Sequence, residues 1–376
     1  MKFLNTTFIT ALRRCQSLPQ HRFVAEKITA VSQLSQPSFL SKNQRVETKP
    51  KNNSINYFGP IRRCLLGLPA DAVKFDQRGF CGGNKTVCSR LENVGSTFLT
   101  GYHFALESAS LAELHVKLAE VDTEVLGFAY EGAAMGLAIC ESLTPWRARG
   151  FLTEKFLAGA GDAHAYMIHV GIGWFWARLP FGFRRAQKKL DPLLGWLAFD
   201  GWGFHEGFFH WRKYINGQPA PKKFSGYERR VFDQGFGRSL WFVLGGNVEL
   251  IATTISNFVA ARQPDLWSGI GLAATCAGGV EADALQQLRK LSGQFSPQLA
   301  QGSAFASKAR QRAGNLTSYT TLAVKILCET SAETAARVTD AALENLPMNA
   351  AEPAYEIWRQ RIQHHFATNQ QTPATA

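Results

Sequence analysis

The chain is short of everything that would build a sheet. Strand-like alternation of apolar and polar residues is scarce, and no Asn-Gly or Asp-Gly pair sits between two alternating runs to close a hairpin. A membrane span needs about 18 to 20 consecutive apolar residues, and the best run, 165–177, is shorter and holds His169. No Gly-x-Ser-x-Gly elbow, Walker phosphate loop or His-Glu-x-x-His pair is present, and Gly171-Ile172-Gly173 lacks the third glycine of a dinucleotide turn. These absences remove the common signatures of serine hydrolases, nucleotide enzymes and zinc peptidases. The seven cysteines are odd in number, spread along the chain and preceded by no secretory signal, so reduced thiols in a cytoplasmic protein are expected. Cys81 and Cys88 lack the second pair that a zinc knuckle requires.

What is present is length, aromatic mass and local charge. The 376 residues include 27 Phe and 9 Trp, enough to bury a large core or to line a binding site. The formal charge of +12 is concentrated in two stretches: residues 1–53 hold nine basic against two acidic residues, and 178–230 hold eleven against four. The remainder is close to neutral. Two basic patches on an otherwise balanced chain argue against a nucleic-acid binder and fit an acidic partner, an anionic substrate group or a solvated face.

The periodicity is helical. Leu111, Leu114, Leu118, Val121 and Val125 recur at three- and four-residue steps and predict an amphipathic helix over 111–125. Residues 330–346 repeat the pattern, with Ser331 as the N-cap and Pro347 as the stop. Internal echoes suggest divergent helical-hairpin repeats: Phe98-Leu-Thr-Gly101, Phe156-Leu-Ala-Gly159 and Phe242-Val-Leu-Gly245 open alike, and Glu131-Gly132, Glu206-Gly207 and Gln301-Gly302 recur as small-residue turns. Chance similarity in a glycine-rich chain would also produce such echoes. The expected fold is all-α, a compact or superhelical domain over 56–366, with a basic tail over 1–55 and a disordered end over 367–376.

Candidate chemistry clusters between Glu131 and Trp211. Glu206 and His210 are four apart and would share a helix face, whereas His205 would point elsewhere. Glu131 stands in the apolar run 128–136 and needs a partner there. With His169 these residues form a candidate catalytic and metal-ligating set, Glu131, His169, Glu206 and His210, which a transition metal ion would suit. Hydrogen-bonded buried pairs and metal-free acid/base chemistry are the alternatives, since the Glu-x-x-His spacing of helical di-metal sites is missing. Trp174, Trp176, Trp202, His205 and Trp211 would line a pocket for an extended apolar ligand.

Six ordered blocks carry a family resemblance: Arg90-Leu-Glu through Gly101-Tyr-His103, Phe128-Ala-Tyr-Glu-Gly132, His169-Val-Gly-Ile-Gly-Trp174, Asp200-Gly-Trp-Gly-Phe-His-Glu-Gly-Phe208, Gly237-Arg-Ser-Leu-Trp-Phe242 and Leu266-Trp-Ser-Gly-Ile-Gly-Leu272. Together they resemble the UnbL-type family of enediyne biosynthesis proteins, from about Asn56 to Phe366. The resemblance implies a role in maturing the polyene released by a polyketide synthase, and it brings no known catalytic residues. Two functions are therefore expected of the chain: acid/base or metal chemistry on a hydrophobic polyene, or a non-catalytic scaffold that carries the polyene or docks on an acidic carrier protein through the basic stretch Arg184–Lys189 with Lys222, Lys223, Arg229 and Arg230.

Overall fold

The computed structural model describes residues 58–143, 151–224, 226–348 and 350–369, and among these no strand occurs. The chain divides into two units, one ending at Leu66 and the other beginning at Gly67. The described part of the first is a single helix, Phe58–Leu66.

The second unit is organised around a row of helices that follow one another in sequence: α1 (Lys85–Glu107), α2 (Leu126–Ser142), α3 (Ala165–Arg178), α4 (Leu197–Phe209), α5 (Gly226–Val243), α6 (Gln263–Ala277), α7 (Ser296–Arg312) and α8 (Ala332–Ala341). Each packs chiefly on its predecessor and its successor. Helices Val248–Ser256, Ala282–Ser292 and Ser318–Leu327 lie between members of this row in sequence and form a second row, each packed on the next. The all-α hairpin-repeat expectation therefore holds. The two rows differ in pattern for a physical reason. An inner helix is enclosed on several sides, so α3 is buried without a break from Ala165 to Trp174. An outer helix has one covered side, so Ala282–Ser292 buries Leu285, Leu288 and Ser292 and leaves the rest outward.

The inner row is held together at its glycines. A Cβ on Gly132 would overlap the Phe98 carbonyl oxygen of α1, and one on Gly201 would overlap Val170 O of α3. The same holds for Gly235 against Asp200 O, Gly269 against Gln234 O and Gly302 against Ser268 O. Only glycine lets the backbones meet this closely. The true repeat is thus the close-contact glycine, and from Gly201 it recurs at steps of 34, 34 and 33 residues. The Phe-x-x-Gly echo is not equivalent from copy to copy: Gly101 lies inside α1, whereas Gly245 sits in a turn with φ of 56°.

Local chemistry sets the helix ends. Ser331 caps α8 as expected, its hydroxyl accepting from Thr334 N–H at 3.1 Å. The helix expected over 111–125 stops at Ala119. Asp122 accepts from Glu124 N–H at 2.8 Å, and this local turn competes with further helix. A last helix, Ala354–Asn369, packs on α7 and α8, so residues 367–369 are helical where a disordered end was expected. The rest of that end and the tail 1–55 lie outside the described residues. Cys81, Cys88, Cys140, Cys276 and Cys328 form no disulfide, and Cys64 departs from the expectation in being disulfide-bonded. No described helix is long and apolar enough to cross a membrane.

Candidate functional site

The residue before each close-contact glycine is carried into the core with it. Asp200, Gln234, Ser268 and Gln301 are all fully buried, and Glu131 is 1% exposed. They make a polar line across the inner row. Gln234 Nε2 donates to Asp200 Oδ2 at 2.7 Å, and Ser268 Oγ donates to Gln301 Oε1 at 2.9 Å. The Arg238 guanidinium forms a buried ion pair with Asp200. Arg359, from the last helix, reaches Asp265 of α6 at 2.8 Å and Gln301 of α7 at 3.3 Å. Buried charge is tolerated because each one meets an opposite charge and further hydrogen bonds.

Glu131 is the end of this line, and like Arg238 at Nε and Gln301 at Nε2 it is incompletely bonded. Its Oε1 has no hydrogen-bond partner, and neither has the Trp174 indole N–H. Both border a void of about 30 Å³ walled by Phe98, Phe128, Phe204 and Phe208. Burial pushes the Glu131 carboxyl up to about 7; Arg238 opposes this, Asp200 adds to it, and the Trp174 indole favours the ionised form without closing a hydrogen bond of normal geometry. The void is walled mainly by aromatic side chains and has room for roughly one water.

A much larger space lies on the other side of α3. It is a cleft of about 620 Å³ between the C-terminal end of α2, the helix Phe151–Leu157, α3 and the segment 179–194. Ile172, Phe175, Trp176, Leu179, Phe181 and Phe183 make most of its wall apolar. His169 lies on it, 2% exposed. Its Nδ1 is 2.7 Å from Ala165 O, four residues back on the same helix. A ring nitrogen facing a carbonyl must carry the proton, so Nε2 keeps its lone pair. That Nε2 is buried and has no partner. Burial pulls the His169 pKa below the usual range, against the Ala165 carbonyl, and keeps the ring neutral. Glu141 also borders the cleft, but its carboxylate is engaged by Leu152 N–H and, at 3.4 Å, by the Thr153 hydroxyl.

A third depression, about 350 Å³, is bordered by Trp202, Glu206, Tyr214 and Lys223. Burial opposes ionisation of Glu206, but neighbouring His205 and the Tyr214 hydroxyl at 2.9 Å more than offset it and hold the carboxyl below its ordinary range. His205 itself is buried edge-on to Trp174, with Nδ1 3.6 Å from Glu206, and burial lowers its pKa.

The sequence-derived set is therefore distributed over the fold. His169 and Trp176 share the cleft, Glu131 and Trp174 share the small void, and Trp202 and Glu206 share the third depression. His210 is exposed and caps the end of α4, its N–H bonded to Glu206 O at 2.8 Å, so the helix needed to align it with Glu206 has already ended. Trp211 donates its indole N–H to Arg78 O at 3.1 Å. Among the described residues no three His, Cys, Asp or Glu side chains are gathered as a metal would need. The Glu131, His169, Glu206 and His210 quartet does not form one ligand set.

Sequence reading missed Asp200, Gln234 and Arg238, although a polar residue before a glycine at steps of about 34 was there to be found. It also missed Phe181 and Glu141 at the cleft. Chemically, the cleft offers a mostly apolar wall of small-molecule size, with one unpaired ring nitrogen, His169 Nε2, buried at it.

Comparison with curated proteins and with solved structures returns no match. A family model described as a protein of unknown function, DUF1702, matches residues 57–366, a span that holds α1 to α8 and the whole cleft. The chain belongs to that family.

Proposed function

We propose that the protein binds an extended, largely apolar small molecule in the 620 Å³ cleft and that His169 Nε2 takes a proton or a hydrogen bond from it. The observation that carries this reading is the lone pair of His169, buried and unpaired on the cleft wall. An unsatisfied buried acceptor is costly to keep, by about 1–3 kcal/mol, and a ligand donor would remove that cost. The volume suits a small molecule, since ligand cavities commonly span about 300 to 1,000 Å³. The resemblance to UnbL-type proteins supports a conjugated polyene as the molecule and enediyne-type polyketide maturation as the setting. With a neutral imidazole on the cleft wall, the chemistry this reading favours is proton abstraction or proton shuffling along the polyene.

A second reading, a carrier that shields the polyene without changing it, draws support from the preponderance of apolar side chains on the cleft wall. One experiment separates the two. Parinaric acid, a fluorescent conjugated polyene, is titrated into the wild-type protein, His169→Leu and Leu157→Glu. Saturable binding to wild type and His169→Leu, weakened in Leu157→Glu, is expected. Absence of saturable binding to the wild type would overturn the cleft as a site. In a reconstituted pathway, His169→Leu that still binds but gives no product supports catalysis, and one that keeps full product formation leaves the carrier reading.

A further inference from the structure

We propose that the mouth of this cleft docks on an anionic lipid bilayer, so that an apolar ligand passes between membrane and cleft without crossing water. The purpose given to this surface rests on the cleft reading; the surface itself stands on separate observations.

The segment Arg178–Lys189 borders the cleft and carries five basic residues and no acidic one. Arg178, Arg185 and Lys188 are exposed, while Arg184 is paired with Glu228. Among these bases the chain exposes apolar side chains: Phe181 is 81% exposed and Leu179 39%, and across the opening Leu143 is 55% exposed. All three border the cleft. The Glu131 void and the Glu206 depression have no exposed large hydrophobic residue on their walls. Phe181 stands beside Gly182, whose φ of 75° turns the chain and pushes the ring outward.

The acids near the opening offset part of the positive charge and leave the strip basic on balance. Asp162 is paired with Arg312 at 2.8 Å, and Asp191 caps Leu193 and Leu194 N–H at 2.9 and 2.7 Å. Glu141 is buried and engaged, and Asp191 and Glu154 keep their negative charge at the cleft.

Basic side chains flanking a protruding aromatic ring at the opening of an apolar cavity match a bilayer better than a protein. A stable protein partner needs roughly 800 Å² of complementary surface on each side, whereas a bilayer takes an isolated ring into its interfacial layer and holds long basic side chains against anionic headgroups.

The test uses the full-length chain and two vesicle preparations, phosphatidylcholine alone and phosphatidylcholine with about a third phosphatidylglycerol, read by co-sedimentation. Because residues 1–53 are also basic, the informative comparison is between wild type and variants that all keep that tail. Wild type is expected to prefer the anionic vesicles, with Phe181→Asp and the pair Arg185→Glu/Lys188→Glu each binding about tenfold more weakly or worse. The charge-reversed pair should still bind parinaric acid in solution, since neither residue borders the cleft. Vesicle binding that is equal in wild type and variants, absent in all, or indifferent to phosphatidylglycerol would overturn the proposal. So would strip-dependent binding to an acidic carrier protein by a wild type that ignores vesicles. Loss of parinaric acid binding by the wild type, with strip-dependent vesicle binding intact, would strike the cleft reading and leave the docking surface standing.

Discussion

Two polar regions flank α3, and they treat buried polarity in different ways. Along the glycine-packed row, Asp200 is buried and bonded to Arg238 and Gln234, and Gln301 is buried and bonded to Ser268. On the cleft side, the buried His169 Nε2 has no partner, and the residue borders a space of about 620 Å³. Burial alone therefore does not separate structural polar residues from functional ones. What separates them is whether an incompletely bonded group borders a space of small-molecule size, as His169 does, since Arg238 Nε and Gln301 Nε2 in the row are also without a partner. Glu131 tests the rule, because it is unpartnered yet faces a void with room for little more than a water.

The comparison can be broken at its strongest point first. Arg238→Met leaves Asp200 charged and alone in the core, and a loss of about 3–5 kcal/mol in chemical denaturation is expected, largely restored when Asp200→Leu is added. If Arg238→Met unfolds like the wild type, the line is not the structural element assigned here. Next comes Glu131. Its carboxyl titrates near 7 in the fold against 4.5 for an unperturbed glutamate. Between those values the folded chain holds a proton that the unfolded chain has lost, so stability falls as pH rises through that window and levels off above it. Glu131→Gln should flatten this fall, by up to roughly 3 kcal/mol, in urea midpoints measured from pH 4.5 to 8; identical pH profiles for the two proteins would count against a buried, protonated Glu131. Gly235→Ala forces a methyl against the Asp200 carbonyl, and overpacking of this kind costs about 1–3 kcal/mol. The smallest stability effect is expected at the site itself. His169→Leu removes the unpaired Nε2 together with the Nδ1 bond to the Ala165 carbonyl, two opposing effects, and should change the unfolding free energy by under about 1 kcal/mol, in either direction. A large destabilisation there would place His169 with the structural residues and merge the two regions.

Much of the scaffold was legible in the sequence because helix signals are local. Ser331 caps where it was expected to, and Leu114 and Leu118 are buried as their spacing required. The repeat was sensed but set in the wrong register. Glu131-Gly132 was matched to Glu206-Gly207, whereas the equivalent of Glu131 is Asp200, because what repeats is a backbone approach between helices and not a run of similar letters. The candidate site was legible as a list and not as an arrangement. His169 and Trp176 were both singled out and do lie together, while Glu206 and His210 are separated by the end of α4 at Phe209. Phe181 could not be recognised in advance, since a Phe in a chain with 27 of them gives no sign of being left outside.

The glycine contacts also bear on how the protein comes apart. Each inner helix leans mainly on two neighbours, so cooperativity passes along the row from one helix to the next, as in other repeat arrays. Opening that starts at one end need not reach the other. Arg359 works against this at the C-terminal end, bonding the last helix to α6 and α7 at once. The α1 end is strapped as well, Arg90 of α1 donating to Ala277 O at the end of α6 at 2.7 Å and Arg310 of α7 to Glu124 O, just before α2, at 2.9 Å, so loosening from either end has to break bonds to helices far along the row.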